Sequence, residues 1–183
     1  MSTPLIWLVF PLAFALLLII TRKKPMLSGI LASAFSLLLA LAALLFPRDL
    51  SFLLPDQRLE IASSLELFGR SLEITGEQLT MVGLLYGIVF LWNLGSLLYR
   101  PSLWFNILSI SITALWVATL SVNPFLYAAV LIELIALLSV PLLSPRGVRT
   151  EQGVLRYLVF QTLALPLILL TGWMLAGLGS APS

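Results

Sequence analysis

The stretch "MLSGILASAFSLLLALAALLF", residues 26–46, decides the fold class of this chain. It contains no charged side chain, and its only polar side chains are serines. A bilayer core about 30 Å thick is crossed by roughly 20 apolar residues in a helix that rises about 1.5 Å per residue. This stretch therefore has the length and composition of a transmembrane helix.

Five further stretches have the same character. Together the six cover about 4–21, 26–46, 78–99, 102–122, 124–143 and 153–177. The alternation of apolar and polar residues that is typical of a membrane β-barrel is not seen. We therefore predict an all-α integral membrane protein with six transmembrane helices that form a single membrane domain over residues 1–183.

Composition excludes several classes of protein. The chain has 183 residues, of which 60% are hydrophobic and 10% charged, whereas a soluble domain has about 25% charged residues. The absence of cysteine and histidine excludes disulfides, thiolate metal sites, haem ligation by histidine and Cys/His catalysis within this chain. We expect no metal, no cofactor and no nucleic-acid partner, because topology explains the net charge of +2.

The distribution of basic residues among the loops predicts the orientation of the chain in the membrane. The first, third and fifth connections are basic: they carry Arg22, Lys23 and Lys24, then Arg100, then Arg146 and Arg149. The opposite side has an uncharged "VNP" turn and uncharged termini. The positive-inside rule puts the basic loops in the cytoplasm and both termini outside. The N-terminus lacks a basic segment before its apolar run, so we expect a retained helix rather than a signal peptide.

The one long loop, residues 47–77, lies on the outer side in this topology. Its segment "SLELFGRSLEIT", residues 64–75, alternates apolar and polar residues on both sides of Phe68, Gly69 and Arg70. That pattern predicts a small β-hairpin. An isolated hairpin is marginally stable in water, so we expect it to pack on the helices or on a neighbouring subunit.

The fifth apolar stretch, "FLYAAVLIELIALLSVPLL", carries Glu133 at its centre. An ionisable group at mid-bilayer costs about 3 kcal/mol or more, so it usually faces protein or water and indicates an ion or proton pathway. Glu133 is the only acidic residue within the six spans. The alternative is a protonated glutamic acid that hydrogen-bonds to a neighbouring helix.

Three other residues are candidates for a polar path. Arg156 lies about one turn inside the sixth span. It could belong to the polar path, or its side chain could extend to the membrane interface and fix the topology. Gln161 on the same span and Asn93 in the third could line a hydrated path or join helices by hydrogen bonds. No nucleophile, phosphate loop or metal-ligand set accompanies them, so we expect no catalytic centre in this chain.

These motifs resemble one known family. Ile132-Glu133-Leu134 begins a fifth-helix motif, and residues 152–157, with Arg156 in place of the usual lysine, follow a basic loop. Together with an acidic entrance to the third span at Glu77, this order is similar to the N-terminal portion of the antiporter-like membrane subunits (N-type, or B-type in photosynthetic relatives) of respiratory complex I. The resemblance covers roughly residues 70–180.

The resemblance implies a role for Glu133 in a proton half-channel. In that family the fifth-helix carboxylate pairs with a lysine on a broken seventh helix, and further lysines carry protons onward. The present sequence has no lysine after Lys24. Three arrangements are therefore open: a split subunit, a truncated structural paralogue, or a second polypeptide that supplies the lysine.

Two functions follow. The first is a membrane subunit of a proton-translocating NAD(P)H- or ferredoxin-quinone oxidoreductase, with Glu133 and Arg156 in the proton path. The second is a scaffold with no transport of its own. In both, the partners are the bilayer and other membrane subunits, and the membrane is a bacterial inner or thylakoid-type energy-transducing one.

Overall fold

A computed structural model describes residues 5–45, 64–67, 70–99, 102–123, 126–143 and 152–179. It consists almost wholly of helices. The helices are α1 (Phe10–Thr21, preceded by a π-helical turn Leu5–Val9), α2 (Pro25–Leu45), α3 (Gly76–Tyr99), α4 (Phe105–Ser121), α5 (Leu126–Leu143) and α6 (Gln152–Gly179). Within the described residues the prediction of six helices is confirmed, and that all six cross a membrane stays a prediction. The fourth begins three residues later than predicted, because Leu103 and Trp104 form a turn before it.

Helix α3 begins with a capping box. The Thr75 backbone N–H donates to Gln78 Oε1 at 2.8 Å, and the Gln78 backbone N–H donates to Thr75 Oγ1 at 3.4 Å. Such reciprocal bonds satisfy two backbone donors that a helix start leaves unpaired. Gln78 Nε2 also donates to the Leu120 carbonyl at 3.0 Å, which ties this end of α3 to the end of α4.

Helices α2 and α3 pack closely because small residues line their contact. A Cβ atom on Gly29 would lie 2.6 Å from Leu97 Cδ2, and one on Gly83 would lie 2.8 Å from Leu44 Cγ. These two contacts are at opposite ends of the pair, so the helices run antiparallel and stay close throughout. Packing of small residues is the usual way in which helices associate in lipid.

The start of α1 depends on a proline and a tyrosine. In an α-helix the Trp7 carbonyl would accept from the N–H of residue 11, but Pro11 has none. The backbone adopts a π-helical turn there, and the buried Tyr86 hydroxyl donates to the Trp7 carbonyl at 3.0 Å. The local break expected at Pro11 is therefore stabilised by α3.

A small three-stranded sheet caps one end of the helices. Strands β1 (Ser64–Leu67) and β2 (Arg70–Glu73) pair antiparallel within the segment for which we predicted a hairpin. Strand β2 also pairs with β3 (Val122–Asn123), which lies between α4 and α5. The buried Leu72 and Ile74 hold this segment against the helices. The predicted turn at residues 68 and 69 lies outside the described residues, as do most of the long loop, both extreme termini and residues 144–151.

Three helices are long and apolar enough to cross a membrane: Pro25–Leu45, Glu77–Tyr99 and Gln152–Met174. The other three are also apolar but somewhat shorter. Large apolar side chains such as Leu98, Ile20 and Phe160 are exposed on the outside of the bundle. An apolar exterior of this kind is compatible with a membrane protein.

Candidate functional site

The carboxyl group of Glu133 lies at the contact between α5 and α6. Glu133 is half-buried, near the middle of α5. The Thr162 hydroxyl of α6 donates to Glu133 Oε1 at 3.4 Å, which is a long hydrogen bond. Glu133 Oε2 is buried and has no hydrogen-bond partner within the described part of the chain. A buried polar atom left unpaired costs about 1–3 kcal/mol, so a donor that reached this oxygen would be stabilising.

A second contact fixes the register of α5 against α6. Ser139 Oγ and the Tyr157 hydroxyl are 3.2 Å apart. Glu133 pairs with Thr162 and Ser139 with Tyr157, so residue numbers rise along α5 as they fall along α6. The two helices are therefore antiparallel, and Glu133 faces α6 rather than lipid alone.

Arg156 does not approach Glu133 in this register. It is exposed and lies six residues before Thr162 on α6, which corresponds to about 9 Å along the helix axis. Arg156 lies beside Tyr157, towards the end of α5 at Leu143. Any electrostatic effect of the Arg156 charge on Glu133 therefore acts over a distance and not through direct contact. Gln161 is half-buried and next to Thr162, so it is the predicted path residue nearest to the glutamate along α6.

Asn93 belongs to a different site, at the contact between α3 and α4. It is fully buried, and its Oδ1 lies 2.8 Å from the Ser109 hydroxyl, whose single proton can go there or to the Asn106 carbonyl at 2.9 Å. Its Nδ2 is buried with no partner among the described residues. Asn93 was considered either to line a hydrated path or to join helices. This geometry provides a contact between helices, and the Nδ2 donor is not used in it.

The hydrogen bonds continue from this pair to α2. The Ser96 hydroxyl lies 2.6 Å from the Asn93 carbonyl and 2.9 Å from Asn106 Oδ1, and its single proton can serve one of them at a time. Asn106 Nδ2 lies 3.5 Å from Ser28 Oγ. We call Ser28, Asn93, Ser96, Asn106 and Ser109 the polar network. It joins α2, α3 and α4.

Asn93 was a candidate from the sequence alone, and Asn106 and Ser109 share a sequence pattern with it. "NLGS" at residues 93–96 and "NILS" at 106–109 each place Asn and Ser three residues apart, hence on one face of a helix. Thr162 had no such signal, because its contact depends on the register between α5 and α6. Within the described residues, no group of three acidic, histidine or cysteine side chains could hold a metal.

Fold and site together define a class: an apolar helical bundle with one carboxyl group held between two helices and a separate buried polar network. Comparison with protein-family models, with curated proteins and with solved structures returned no match. The particular function therefore has to be argued from the geometry of these two sites and from the sequence motifs.

Proposed function

We propose that this chain is a membrane subunit of a complex I-type quinone oxidoreductase, in which Glu133 forms the centre of a proton half-channel. All six helices cross the membrane in this proposal, with the basic connections in the cytoplasm and both termini outside. The membrane is a bacterial inner or thylakoid-type energy-transducing one, and the partners are other membrane subunits.

One observation carries the proposal. Glu133 has one carboxyl oxygen bonded to Thr162, and the other is buried with no partner among the residues that the structure describes. A glutamic acid that only joined two helices would be expected to use both oxygens, because unpaired polar atoms are costly in an apolar medium. A residue that gains and loses a proton needs an oxygen that a water or a donor can reach.

The sequence motif suggests which group would bond to Glu133 Oε2. The family resemblance implies a lysine opposite the fifth-helix carboxylate, and this sequence has no lysine after Lys24. The cation that pairs with Glu133 would therefore come from residues outside these 183, in the same protein or in another one. Arg156 contributes at longer range, as a fixed positive charge about 9 Å along α6 from the level of Thr162.

The direct test is Glu133→Gln in the assembly that contains the chain. Gln keeps the size of the side chain and its capacity to bond Thr162, but it cannot exchange a proton. Proton uptake per quinone reduced should fall severalfold while quinone reduction and subunit content stay near normal. Normal proton translocation in a correctly assembled Glu133→Gln complex would remove Glu133 from the path.

A structural role is the second candidate, and the exposure of α6 favours it. Only 6% of the apolar span of α6 is buried in this chain, against 44% of that of α2. A scaffold would bury this face of α6 against neighbouring subunits, and Glu133 would be held protonated there. In that case Glu133→Gln would leave proton translocation unchanged, whereas bulky polar substitutions on the α6 face would reduce subunit content.

A further inference from the structure

A cavity of about 340 Å³ opens at the end of the bundle where the α1–α2 turn meets the start of α4. Its lining includes Lys24 and Met26 on one side, Ser96 at the end of α3, and Ser102 and Asn106 at the start of α4. Ser28 of the polar network also lines it. The cavity is distant in the fold from Glu133, which lies between α5 and α6.

The inner wall of this cavity can donate hydrogen bonds. Ser28, Ser96 and Asn106 are all more than nine-tenths buried, yet they border the cavity. Asn106 Nδ2 carries two N–H groups, and its one hydrogen bond, to Ser28 Oγ, is long at 3.5 Å. Within the described part of the chain, at least one N–H of Asn106 is therefore without a partner.

The cavity is also electropositive. Lys24 is at its rim, and none of the described residues that line it is acidic. The first turns of α2 and α4 both border it, and the unpaired N–H groups of a helix start carry partial positive charge. Arg22 is not part of the lining, but it lies at the same end of the bundle, 5.1 Å from the ring centroid of Trp104 at the start of α4.

Apolar and aromatic side chains surround the polar opening. Met26 and Leu98 are 72% and 83% exposed, and Tyr99 is 88% exposed at the end of α3. Aromatic and basic residues at this position are typical of the level of the lipid headgroups. A ligand that placed an anionic group in the cavity would lay an attached apolar chain along these side chains, which free phosphate could not do.

We propose that this cavity binds the phosphate group of an anionic membrane lipid from the cytoplasmic leaflet, where such lipids are attracted by basic residues. Lys24 supplies the charge, Asn106 and Ser102 supply hydrogen bonds, and Met26 contacts the acyl chain. The inference requires the membrane orientation proposed above, but it does not require Glu133 to exchange protons. Lipid binding and proton translocation therefore succeed or fail in separate experiments.

The test uses the full chain purified in a neutral detergent, with phosphatidylglycerol as the probe and native mass spectrometry to count bound lipid. Lys24→Gln should weaken binding about fivefold, since a basic residue near an anionic lipid contributes about 1 kcal/mol. Lys23→Gln is the matched control, because Lys23 is an exposed neighbour that does not line the cavity. It should change binding less than twofold.

A second variant tests the cavity without changing its charge. Ser102→Leu replaces an exposed hydroxyl at the rim with a larger apolar group. It should also weaken the binding of phosphatidylglycerol, while the helical circular dichroism signal stays unchanged. Equal losses for Lys23→Gln and Lys24→Gln would mean a diffuse charge effect and overturn the proposal. Equal binding of phosphatidylcholine would also overturn it, as would inorganic phosphate that binds the cavity in place of the lipid.

Discussion

At the scale of single residues, the hydrogen bond between Thr162 and Glu133 can be tested by substitution. The Thr162 hydroxyl reaches Glu133 Oε1, whereas the Thr171 hydroxyl bonds the Ile168 carbonyl of its own helix at 2.8 Å. Both threonines are exposed on α6. They therefore form a matched pair for substitution.

Thr162→Val should lower proton translocation by the intact assembly, because Glu133 loses the one hydrogen bond that the described residues give its carboxyl group. Thr171→Val should leave translocation unchanged. The measurement is proton uptake per quinone reduced in reconstituted vesicles. The same rate for both variants and the wild type would show that the Thr162 contact has no functional role.

Ser109 offers a second prediction, about stability. Ser109→Ala removes the hydroxyl that can donate to the buried Asn93 side chain, and it should cost about 0.6 kcal/mol, the average for hydrogen bonds between membrane helices, and at most about 1.7 kcal/mol. Ser111→Ala is the control, because that hydroxyl bonds the Ile107 carbonyl within α4 at 2.9 Å. Unfolding by sodium dodecyl sulfate in mixed micelles compares the two. If Ser111→Ala costs as much as Ser109→Ala, the polar network does not stabilise the bundle.

At the scale of elements, the contact between α2 and α3 depends on particular glycines. In Gly83→Ala, the new Cβ would lie 2.8 Å from Leu44 Cγ and 3.3 Å from Ala43 Cβ. Leu44 is half exposed and can rotate away, but the Ala43 Cβ cannot. The helices must therefore separate slightly, at a cost of about 1–3 kcal/mol.

Gly87→Ala, one turn further along α3, provides the control. No atom lies within 4 Å of the position that its Cβ would take. The substitution should be neutral or stabilising by up to about 1 kcal/mol, because alanine favours a helix more than glycine does. Greater destabilisation by Gly87→Ala than by Gly83→Ala in the same unfolding assay would contradict the close packing of α2 on α3.

The positions of the helices were predictable, because each is an apolar run between charged or turn-forming residues. The prediction for 26–46 differs from α2 (Pro25–Leu45) by one residue at each end. The start of α4 was less predictable, since "PSLWF" is apolar enough to continue a span. The contact partners of Glu133 and Ser139 depend on how α5 slides along α6, which local sequence does not encode.

At the scale of the whole molecule, the structure brings two predicted cytoplasmic connections to one end. Arg22 in the α1–α2 turn stacks on Trp104 beside the start of α4. The β2–β3 pairing lies at the ends of α3 and α4 that are remote from Trp104. The basic α1–α2 turn and the small sheet thus occupy opposite ends of the described bundle.

The predicted orientation can be measured directly because the chain has no cysteine of its own. Lys23→Cys and Asn123→Cys introduce single thiols at exposed positions at the two ends. A membrane-impermeant maleimide should label Asn123→Cys in intact cells and Lys23→Cys only after the membrane is opened. Labelling in the opposite order would reverse the topology, and labelling of both in intact cells would mean that the chain does not separate two compartments.

The central claim is that Glu133 changes its protonation state during turnover, and infrared difference spectroscopy of the intact assembly tests it most directly. Quinone reduction should produce a change in the C=O stretching band of a protonated carboxyl group, and Glu133→Gln should abolish it. Glu133→Asp should retain the change at a shifted position. A difference spectrum that is the same in the wild type and in Glu133→Gln would contradict the claim.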